Sequence, residues 1–329
     1  MSPERESGET RAGLIIIGSV TADVTTFSQR LPRPGETVLG DDVSLVLGGK
    51  GANQAVAGAR AGAQTFFVGC VGNDLFQDLV LGGLIDNDVD VSETHIVDSP
   101  TGVAHIRVDA SGENDIVVVP LANSHLSIEH VDAALARLAP RSSVMITQLE
   151  IPSAVSIHAI RTARALGLTV ILDPAPAVAL EPDIWRHIDI VTPNETEASL
   201  ITGIPVTDFA SAVEAGRWLC DRGAGHAIIT LASAGAALVS SEHAIQFEAF
   251  PIDTVDTTAA GDAFTGYLGA GLAQNLDLTD AVTRAMAAGA LAVSRRGASP
   301  SLPTLDEVNA FLAGQRGREV HGASAKAVS

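Results

Sequence analysis

Short apolar runs alternate with helical patterns along most of this chain. The strand-like runs are 14–18, 64–70, 143–149, 169–172, 188–192 and 226–231. The helical patterns are 51–61, 75–85, 128–138, 154–166, 195–201, 210–222, 261–273 and 279–294. Such alternation predicts βαβ units, and so an α/β fold whose mostly parallel sheet is covered on both faces. Ligands of such sheets bind beyond the carboxyl ends of the strands.

Two further segments interrupt the alternation, and we predict that they form hairpins. The first spans 36–47 with a turn at 40–42, and the second spans 102–119 with a turn at 110–113. They can pair into a small sheet that stands off the main body, or they can be edge strands of the main sheet. A protruding sheet beside a ligand crevice is a candidate lid, which would exclude water from a reaction.

The length of the chain permits one large α/β domain or two smaller ones. We expect a single domain at 13–313, with disordered tails at 1–12 and 314–329. The first apolar run, 14–17, is too short for a signal-peptide core, and no apolar run approaches the ~18 residues of a membrane span. The two cysteines are far apart and imply no disulfide framework. We therefore expect a cytoplasmic protein with no membrane partner.

The charge balance of the chain is strongly acidic. There are 39 acidic and 20 basic residues, which gives a net charge of −19. Such a field repels nucleic-acid backbones, and no block of Lys or Arg residues forms a patch to oppose it. The nine histidines do not have the spacing of zinc ligands. The sequence thus argues against a nucleic-acid partner and against a structural zinc site.

Residues 256–264 combine two carboxylates with a stretch of small residues just before a predicted helix. Phosphoryl transfer to an alcohol needs free backbone N–H groups that cradle negative charge, and a helix N-terminus supplies them. A carboxylate at Asp262 can also orient the attacking hydroxyl and take its proton. The alternative is that Asp262 only complements the helix dipole.

A glycine-rich segment at 48–55 opens an earlier helix. Lys50 and Asn53 lie one helical turn apart there and can both donate to a polyhydroxylated ligand. The segment lacks the G-x-x-x-x-G-K-[ST] pattern of a P-loop. A tight turn without a ligand explains the glycines equally well.

Three later loops admit a structural and a functional interpretation. Asn194 and Glu197 fit a helical capping box, but Glu197 can instead reach Mg²⁺ through water. The small residues at 230–235 can hold a nucleotide phosphate or form a hairpin turn. Oxygens of Asp256, Thr258 and the loop 296–301 can bind a monovalent cation, or that loop can be a simple connection.

Taken together and in this order, these segments resemble the ribokinase branch of the phosphofructokinase-B sugar kinases, from about residue 14 to residue 312. Segment 48–54 is similar to the N-terminal signature of that family, and 256–264 is similar to its C-terminal signature. Shorter matches occur at 18–19, 34–37, 148–150, 174–177 and 192–197. The resemblance implies a three-layer αβα sandwich with a mostly parallel central sheet and a small β-sheet lid formed by 36–47 and 102–119.

The resemblance also implies a reaction, the ATP-dependent phosphorylation of the 5-hydroxyl of D-ribose. Asp262 would be the catalytic base, and the backbone N–H groups of Ala259, Ala260 and Gly261 would form the anion hole. The sugar would be held by Thr21, Asp23, Gly49, Lys50, Asn53, Glu150 and Asp262. Nucleotide contacts would come from Asn194, Thr230, Ala232, Ser233, Gly235, Gly261 and Met286.

Two cations and a second subunit complete what the resemblance implies. Glu197 would support Mg²⁺ through water. An activating K⁺ would be surrounded by Asp256, Thr258, Ala292, Arg295, Gly297 and Ser301, several of them through backbone carbonyls. The lid strands would also pair between two subunits to make a homodimer.

Five positions depart from the usual family residues. Thr21 and Asp173 stand where Asn is usual, and Leu121, Ala232 and Ala259 stand where Gly is usual. None of these changes removes Asp262, so the sequence predicts an active kinase. Thr21 leaves other acceptors open, namely 2-deoxyribose, another pentose or a nucleoside. A non-catalytic sensor of sugar or nucleotide on a kinase fold is the alternative from a different class.

Overall fold

The computed structural model describes residues 11–111 and 113–325, and it contains two separate sheets. In these residues the strands are β1 (Gly13–Ile17), β2 (Thr21–Phe27), β3 (Asp42–Gly48), β4 (Gln64–Gly72), β5 (Val89–Val97), β6 (Gly102–Val108), β7 (Asn114–Val119), β8 (Ser142–Thr147), β9 (Thr169–Leu172), β10 (Ile190–Val191), β11 (His226–Thr230), β12 (Ala236–Val239) and β13 (Ala244–Phe247). The larger sheet has the order β13-β12-β11-β10-β9-β8-β1-β4-β5.

This larger sheet is mostly parallel, as the alternation predicts. The seven strands at one side of this order, β11-β10-β9-β8-β1-β4-β5, pair in parallel with their neighbours. Strands β12 and β13 add antiparallel pairs at the other edge. All six predicted strands are present, although β10 is shorter than the predicted run 188–192. Three strands of this sheet were not predicted: β5, β12 and β13.

Helices cover both faces of the larger sheet. They are α1 (Lys50–Arg60), α2 (Gln77–Ile85), α3 (Ile128–Leu138), α4 (Ser153–Ala165), α5 (Glu195–Thr202), α6 (Phe209–Cys220), α7 (Ala260–Ala273), α8 (Leu278–Val293) and α9 (Leu305–Ala325). Side chains of β1 alternate between the faces, since Leu14 and Ile16 join the core beneath α1, α7 and α8 while Ile15 and Ile17 join the core beneath α3 and α4. The fold is therefore the three-layer αβα sandwich that the resemblance implies.

The smaller sheet has the order β3-β2-β6-β7 and corrects one prediction. The hairpin predicted over 36–47 does not form. Instead β3 pairs antiparallel with β2, which was not predicted, and β2 pairs in parallel with β6. The physical reason is that the backbone of Thr21–Phe27 offers β3 a longer antiparallel partner than a turn at 40–42 would allow. The second predicted hairpin is confirmed as β6 and β7, and Gly112 of its turn lies outside the described residues.

The chain ends also differ from the expected tails. Helix α9 continues past residue 314 as far as Ala325. The predicted tail at 1–12 falls mostly outside the described residues. Within the part of the chain that the structure describes, no helix has the length and apolar character to cross a membrane.

Left-handed backbone occurs at each of the three positions where this chain lacks the usual family glycine. The φ angles are +46° at Leu121, +44° at Ala232 and +59° at Ala259. Residues with a Cβ adopt this region at a cost, because Cβ approaches the following carbonyl. The chain therefore keeps the backbone path that glycine would favour and accepts local strain.

We predict that Ala232→Gly stabilises the protein. Ala232 is exposed, so the change removes the strain at φ +44° without opening a cavity, and the free energy of unfolding should rise by about 1 kcal/mol. Urea unfolding measures the difference. Ala234→Gly in the same turn is the matched control, since Ala234 is exposed and has no positive φ, and this variant should lose stability. Equal shifts in both variants would contradict the strain argument.

Candidate active site

The carboxylate of Asp262 is buried between two helices. Asp262 lies in the first turn of α7 and is 6% exposed. Its Oδ2 accepts a hydrogen bond from Asn53 Nδ2 at 2.9 Å, and its Oδ1 accepts one from Gln54 Nε2 at 3.1 Å. Both donors come from α1, so adjacent residues of one helix hold the two oxygens of the acid on the other.

Helix α1 can reach Asp262 because its glycine-rich start folds tightly. Gly49 precedes the helix with φ +88°, and a Cβ on Gly49 would lie 2.9 Å from Val20 Cα. Only glycine combines that conformation with that close approach. The turn sets Lys50 at the first position of the helix and places Asn53 and Gln54 one turn later, toward α7. The predicted tight turn is thus present, and the binding of a ligand by Lys50 and Asn53 stays a prediction.

The site holds more acids than bases. Burial raises the pKa of Asp262, against the opposing effects of Lys50 and Asn53. Burial also raises the pKa of Asp173 to about 7, although Lys50 lies near it with Nζ 4.0 Å from Asp173 Oδ2. Burial of Lys50 favours the neutral amine, but the carboxylates of Asp173, Asp262 and Glu150 hold the pKa of Lys50 above its ordinary value. An acid with a raised pKa is a stronger proton acceptor than an ordinary Asp.

The predicted sugar residues gather on the lid side of this acid cluster. Thr21 Oγ1 donates to Asp23 Oδ1 at 2.6 Å, and both side chains are buried. Burial raises the pKa of Asp23 to about 6, with the charges of Glu150 and Asp262 contributing. The Glu150 carboxylate accepts hydrogen bonds from the backbone N–H of Lys50 at 3.1 Å and from the hydroxyl of Ser19 at 2.6 Å. Strand β2, the loop after β8 and the start of α1 therefore bring these side chains together.

A cavity of about 770 Å³ lies between the smaller sheet and the body of the protein. Asp23 lines one wall, together with side chains of β2, β3 and β6. The opposite wall consists of the loops 254–258 and 296–300. The smaller sheet thus stands over the opening that leads to Asp23, in the position expected of a lid.

The start of α7 presents backbone N–H groups beside Asp262. Ala259 caps the helix with left-handed backbone and no side-chain hydrogen bond, and Gly261 is exposed. The first N–H groups of a helix lack partners within the helix. The N–H group of Ala260 has a partner outside the helix, because it donates to Thr257 O at 3.3 Å. Of the three residues predicted to form an anion hole, Gly261 is thus the most open to a ligand.

Two loops predicted to hold nucleotide are adjacent in space. Asn194 and Thr230 form an isolated parallel β-bridge. Asn194 and Glu197 form a complete capping box, in which Glu197 Oε2 accepts from the backbone N–H of Asn194 at 2.9 Å. The segment 232–235 is the turn between β11 and β12, with Ala232 and Ser233 exposed. The structural interpretations of both loops hold, and their closeness leaves the nucleotide interpretation open.

Met286 lies farther from these loops in sequence, on α8. Its side chain is partly buried and packs against the core that α7 and α8 share. Among the described residues, no cluster of three or more His, Cys, Asp and Glu side chains is arranged to hold a metal ion. A metal here would therefore need oxygens from a bound nucleotide besides Glu197, as Mg²⁺ commonly does.

The predicted K⁺ residues come from two loops, which Asp256 joins, and from the last turn of α8, which carries Ala292. Asp256 Oδ1 accepts from the N–H and hydroxyl of Thr258, and Oδ2 accepts from the N–H of Gly297 at 2.9 Å. Burial works to raise the pKa of Asp256, but these hydrogen bonds hold that pKa below its ordinary value. The remaining members differ in exposure and contacts: Ala292 and Ser301 are buried, and the Arg295 guanidinium pairs with Glu307.

Two glutamines near Asp262 were not predicted as site residues. Gln54 and Gln148 are both fully buried, and Gln148 Nε2 donates to Gln54 Oε1. Both lie inside segments that the sequence singled out, 48–55 and 148–150. A polar side chain without charge in such a segment gives no sign of whether it faces the core or the site, which is why sequence reasoning passed over them.

Comparison with known proteins agrees with this geometry. The model of the pfkB family of carbohydrate kinases matches residues 11–305. Ribokinase from Haemophilus influenzae is 37% identical over 92% of this chain and 99% of its own. Deoxyribokinase from Salmonella typhi is 33% identical over 91% of this chain and 98% of its own. The structure of Arabidopsis thaliana ribokinase complexed with ribose and ATP superposes with a TM-score of 0.83 at 31% identity, covering 91% of this chain and 98% of the plant one. This chain belongs to the pfkB family of carbohydrate kinases and is a sugar kinase.

Proposed function

We propose that this enzyme is an ATP-dependent ribokinase, which transfers the γ-phosphoryl group of ATP to the 5-hydroxyl of D-ribose. One observation carries the proposal: a buried Asp262 with both oxygens held by α1, directly behind the open N-terminus of α7. The structure of the Arabidopsis thaliana relative in complex with ribose and ATP supports ribose as the acceptor and ATP as the donor. The similarity to the Haemophilus influenzae ribokinase supports the same acceptor.

Asp262 is the base in this proposal. An ordinary Asp titrates near pH ~4, far below an alcohol, so it cannot remove the proton of a hydroxyl before transfer begins. A loose transition state does not demand early removal, because the proton can leave late while the carboxylate orients the nucleophile. Burial raises the pKa of Asp262 and so strengthens it as the final proton acceptor.

Backbone and cation charges then stabilise the moving phosphoryl group. The N–H of Gly261, with those of Ala259 and Ala260, is proposed to form the anion hole at the positive end of the α7 dipole. The Ala260 N–H must release Thr257 O to take part. Lys50, held charged by its acidic neighbours, adds a positive charge close to Asp262.

The acidic and amide groups near the lid are proposed to hold the sugar. Asp23 and Glu150 are acceptors for sugar hydroxyls, and Lys50 and Asn53 are donors. Asn53 uses one N–H on Asp262 and keeps the other for the sugar. The backbone of Gly49 is proposed to contact the sugar, and its lack of a Cβ lets that backbone pack tightly against Val20. Thr21 takes part through Asp23, to which its hydroxyl donates.

ATP is proposed to lie across Asn194, Thr230 and the turn 232–235. In this arrangement Met286 lies beside the nucleobase of ATP, and Gly261 lies at its phosphates. Mg²⁺ is proposed to be held by phosphate oxygens and, through water, by Glu197. The donor set suits this metal, which usually keeps several waters and takes few carboxylates. It supplies charge neutralisation on the phosphates when bound.

The smaller sheet is proposed to close over the sugar and to pair two subunits. Its outer strand β7 exposes Ile116, Val117, Val118 and Val119, which are 44–61% exposed. An uncovered edge strand with apolar side chains tends to pair with another strand. A homodimer through these strands would cover them.

Thr21 favours 2-deoxyribose as a second candidate acceptor. Its single hydroxyl proton is already donated to Asp23, so it adds no donor for a sugar hydroxyl. A site discriminates for a hydroxyl only when it hydrogen-bonds that hydroxyl. The similarity to the Salmonella typhi deoxyribokinase points the same way.

The first test replaces the proposed base. Asp262→Asn should lower kcat by a factor of about 10²–10⁴, because an amide cannot accept the proton, while ATP binding is retained. Steady-state turnover and calorimetric ATP binding measure the two effects. Asp280→Asn is the matched control, since Asp280 lies exposed in the first turn of α8, and it should turn over normally. Unchanged turnover in Asp262→Asn would remove Asp262 from its proposed role.

The second test addresses the acceptor. Values of kcat/KM over ribose, 2-deoxyribose, arabinose, xylose, fructose and adenosine should be highest for ribose. Thr21→Asn should raise the ratio of ribose to 2-deoxyribose at least about tenfold, because Asn offers a free donor to a sugar hydroxyl. Thr26→Asn is the matched control and should leave this ratio unchanged, because the Thr26 hydroxyl donates to Ile106 O within the smaller sheet. Ribose turning over no faster than fructose or adenosine would defeat the ribokinase assignment.

The third test concerns K⁺. Exchange of K⁺ for tetramethylammonium at constant ionic strength should lower kcat, since that cation is too large for the loops that Asp256 joins. Asp256→Asn should raise the K⁺ concentration needed for half-maximal activity, because one charge facing the cation is lost. Rates that do not respond to K⁺ in the unaltered enzyme would argue against the site.

A further inference from the structure

A chain of side-chain hydrogen bonds ends on the proposed base. The Gln54 amide nitrogen donates to Asp262 Oδ1 at 3.1 Å and to Asp173 Oδ2 at 2.7 Å. The Gln54 amide oxygen accepts from Gln148 Nε2. An amide has two N–H donors, so this geometry occupies both of them on carboxylates.

The chain is closed off from solvent. Gln54 and Gln148 have no exposed surface, and Asp173 is 5% exposed. The two carboxylates can only accept hydrogen bonds, so they orient the Gln54 amide with its nitrogen toward them, and the Gln148 N–H anchors the opposite, oxygen end. The Gln54 NH₂ group is thereby held between two carboxylates that would otherwise repel each other across a medium of low dielectric.

Asn53 alone would not fix the plane of the Asp262 carboxylate. The terminal torsion of an Asp side chain is soft, so a single hydrogen bond to Oδ2 leaves the carboxylate free to rotate. A second bond to Oδ1 from the neighbouring residue of the same helix removes that freedom. An amide also does not titrate, so it holds the base without competing for its proton.

We propose that Gln54 is a positioning residue for phosphoryl transfer: with its amide oxygen anchored by Gln148 and its amide nitrogen shared with Asp173, it sets the Asp262 carboxylate toward the acceptor hydroxyl. This inference rests on the proposed function of Asp262 as the base. A misplacement of a reacting group by a fraction of an ångström is sufficient to slow a reaction strongly.

Gln54→Met tests the proposal, because Met has nearly the same length and no hydrogen-bond donor. Rapid-quench single-turnover experiments with ATP and ribose should show phosphoryl transfer slowed at least about tenfold. The Kd values for ATP and ribose should stay within about threefold, since Gln54 contacts neither ligand in the proposal. Gln274→Met is the matched control, because Gln274 lies at the opposite end of α7 and bonds Ala61 O, and it should transfer at the unaltered rate.

If Gln54→Met fails to fold, Gln148→Met provides a second variant. Gln148 is one hydrogen bond farther from Asp262 than Gln54 is. The Gln148→Met variant should also slow transfer, by a smaller factor. The double variant should be no slower than Gln54→Met, because both changes act through one amide.

Each failure has a distinct meaning. An unaltered enzyme that phosphorylates no sugar would defeat the proposed function. An active enzyme whose Gln54→Met and Gln148→Met variants transfer at the normal rate would overturn the inference alone. A loss of rate matched by an equal rise in the Kd of ribose would also overturn it, since Gln54 would then act in binding.

Discussion

The contact between α1 and α7 is the constraint on which the site depends. It buries the carboxylate of Asp262 and supplies amide donors for both of its oxygens. The two helices can approach closely because Gly266 faces Ala57, where a Cβ would lie only 2.5 Å from the Ala57 Cβ. A buried charge without partners would be very costly, so the packing of small residues and the satisfaction of Asp262 are coupled.

Charge around this contact is arranged unevenly. The carboxylates of Asp173, Asp262, Glu150 and Glu197 all act on the charge of Lys50. Burial raises the pKa values of Asp23, Asp173 and Asp262, which strengthens them as acceptors for protons and hydroxyl groups. A polyhydroxylated ligand can satisfy such a cluster by donating to its acids, whereas the N-terminus of α7 favours an anion. The electrostatics thus separate the two proposed substrates.

Much of the fold followed from local pattern. The eight predicted helices and six predicted strands are present because their periodicity is set by neighbouring residues. Strand β2 was missed because Thr21–Phe27 is mostly small and polar, and its strand state depends on pairing with β3 and β6. The same dependence on distant partners made the hairpin predicted over 36–47 wrong. Left-handed backbone at Ala232 and Ala259 likewise overrides residue preference.

The sequence by itself determined the fold class, the place of the acidic helix start at Asp262 and the family signatures, because each is written in adjacent residues. Only the tertiary structure decided what surrounds Asp262. Gln54 is far from Asp173 and Asp262 in the chain, and its hydrogen bonds to these two acids exist only after α1, β9 and α7 have packed. Sequence spacing identifies the groups present, but burial and distance determine which groups share a proton or a charge.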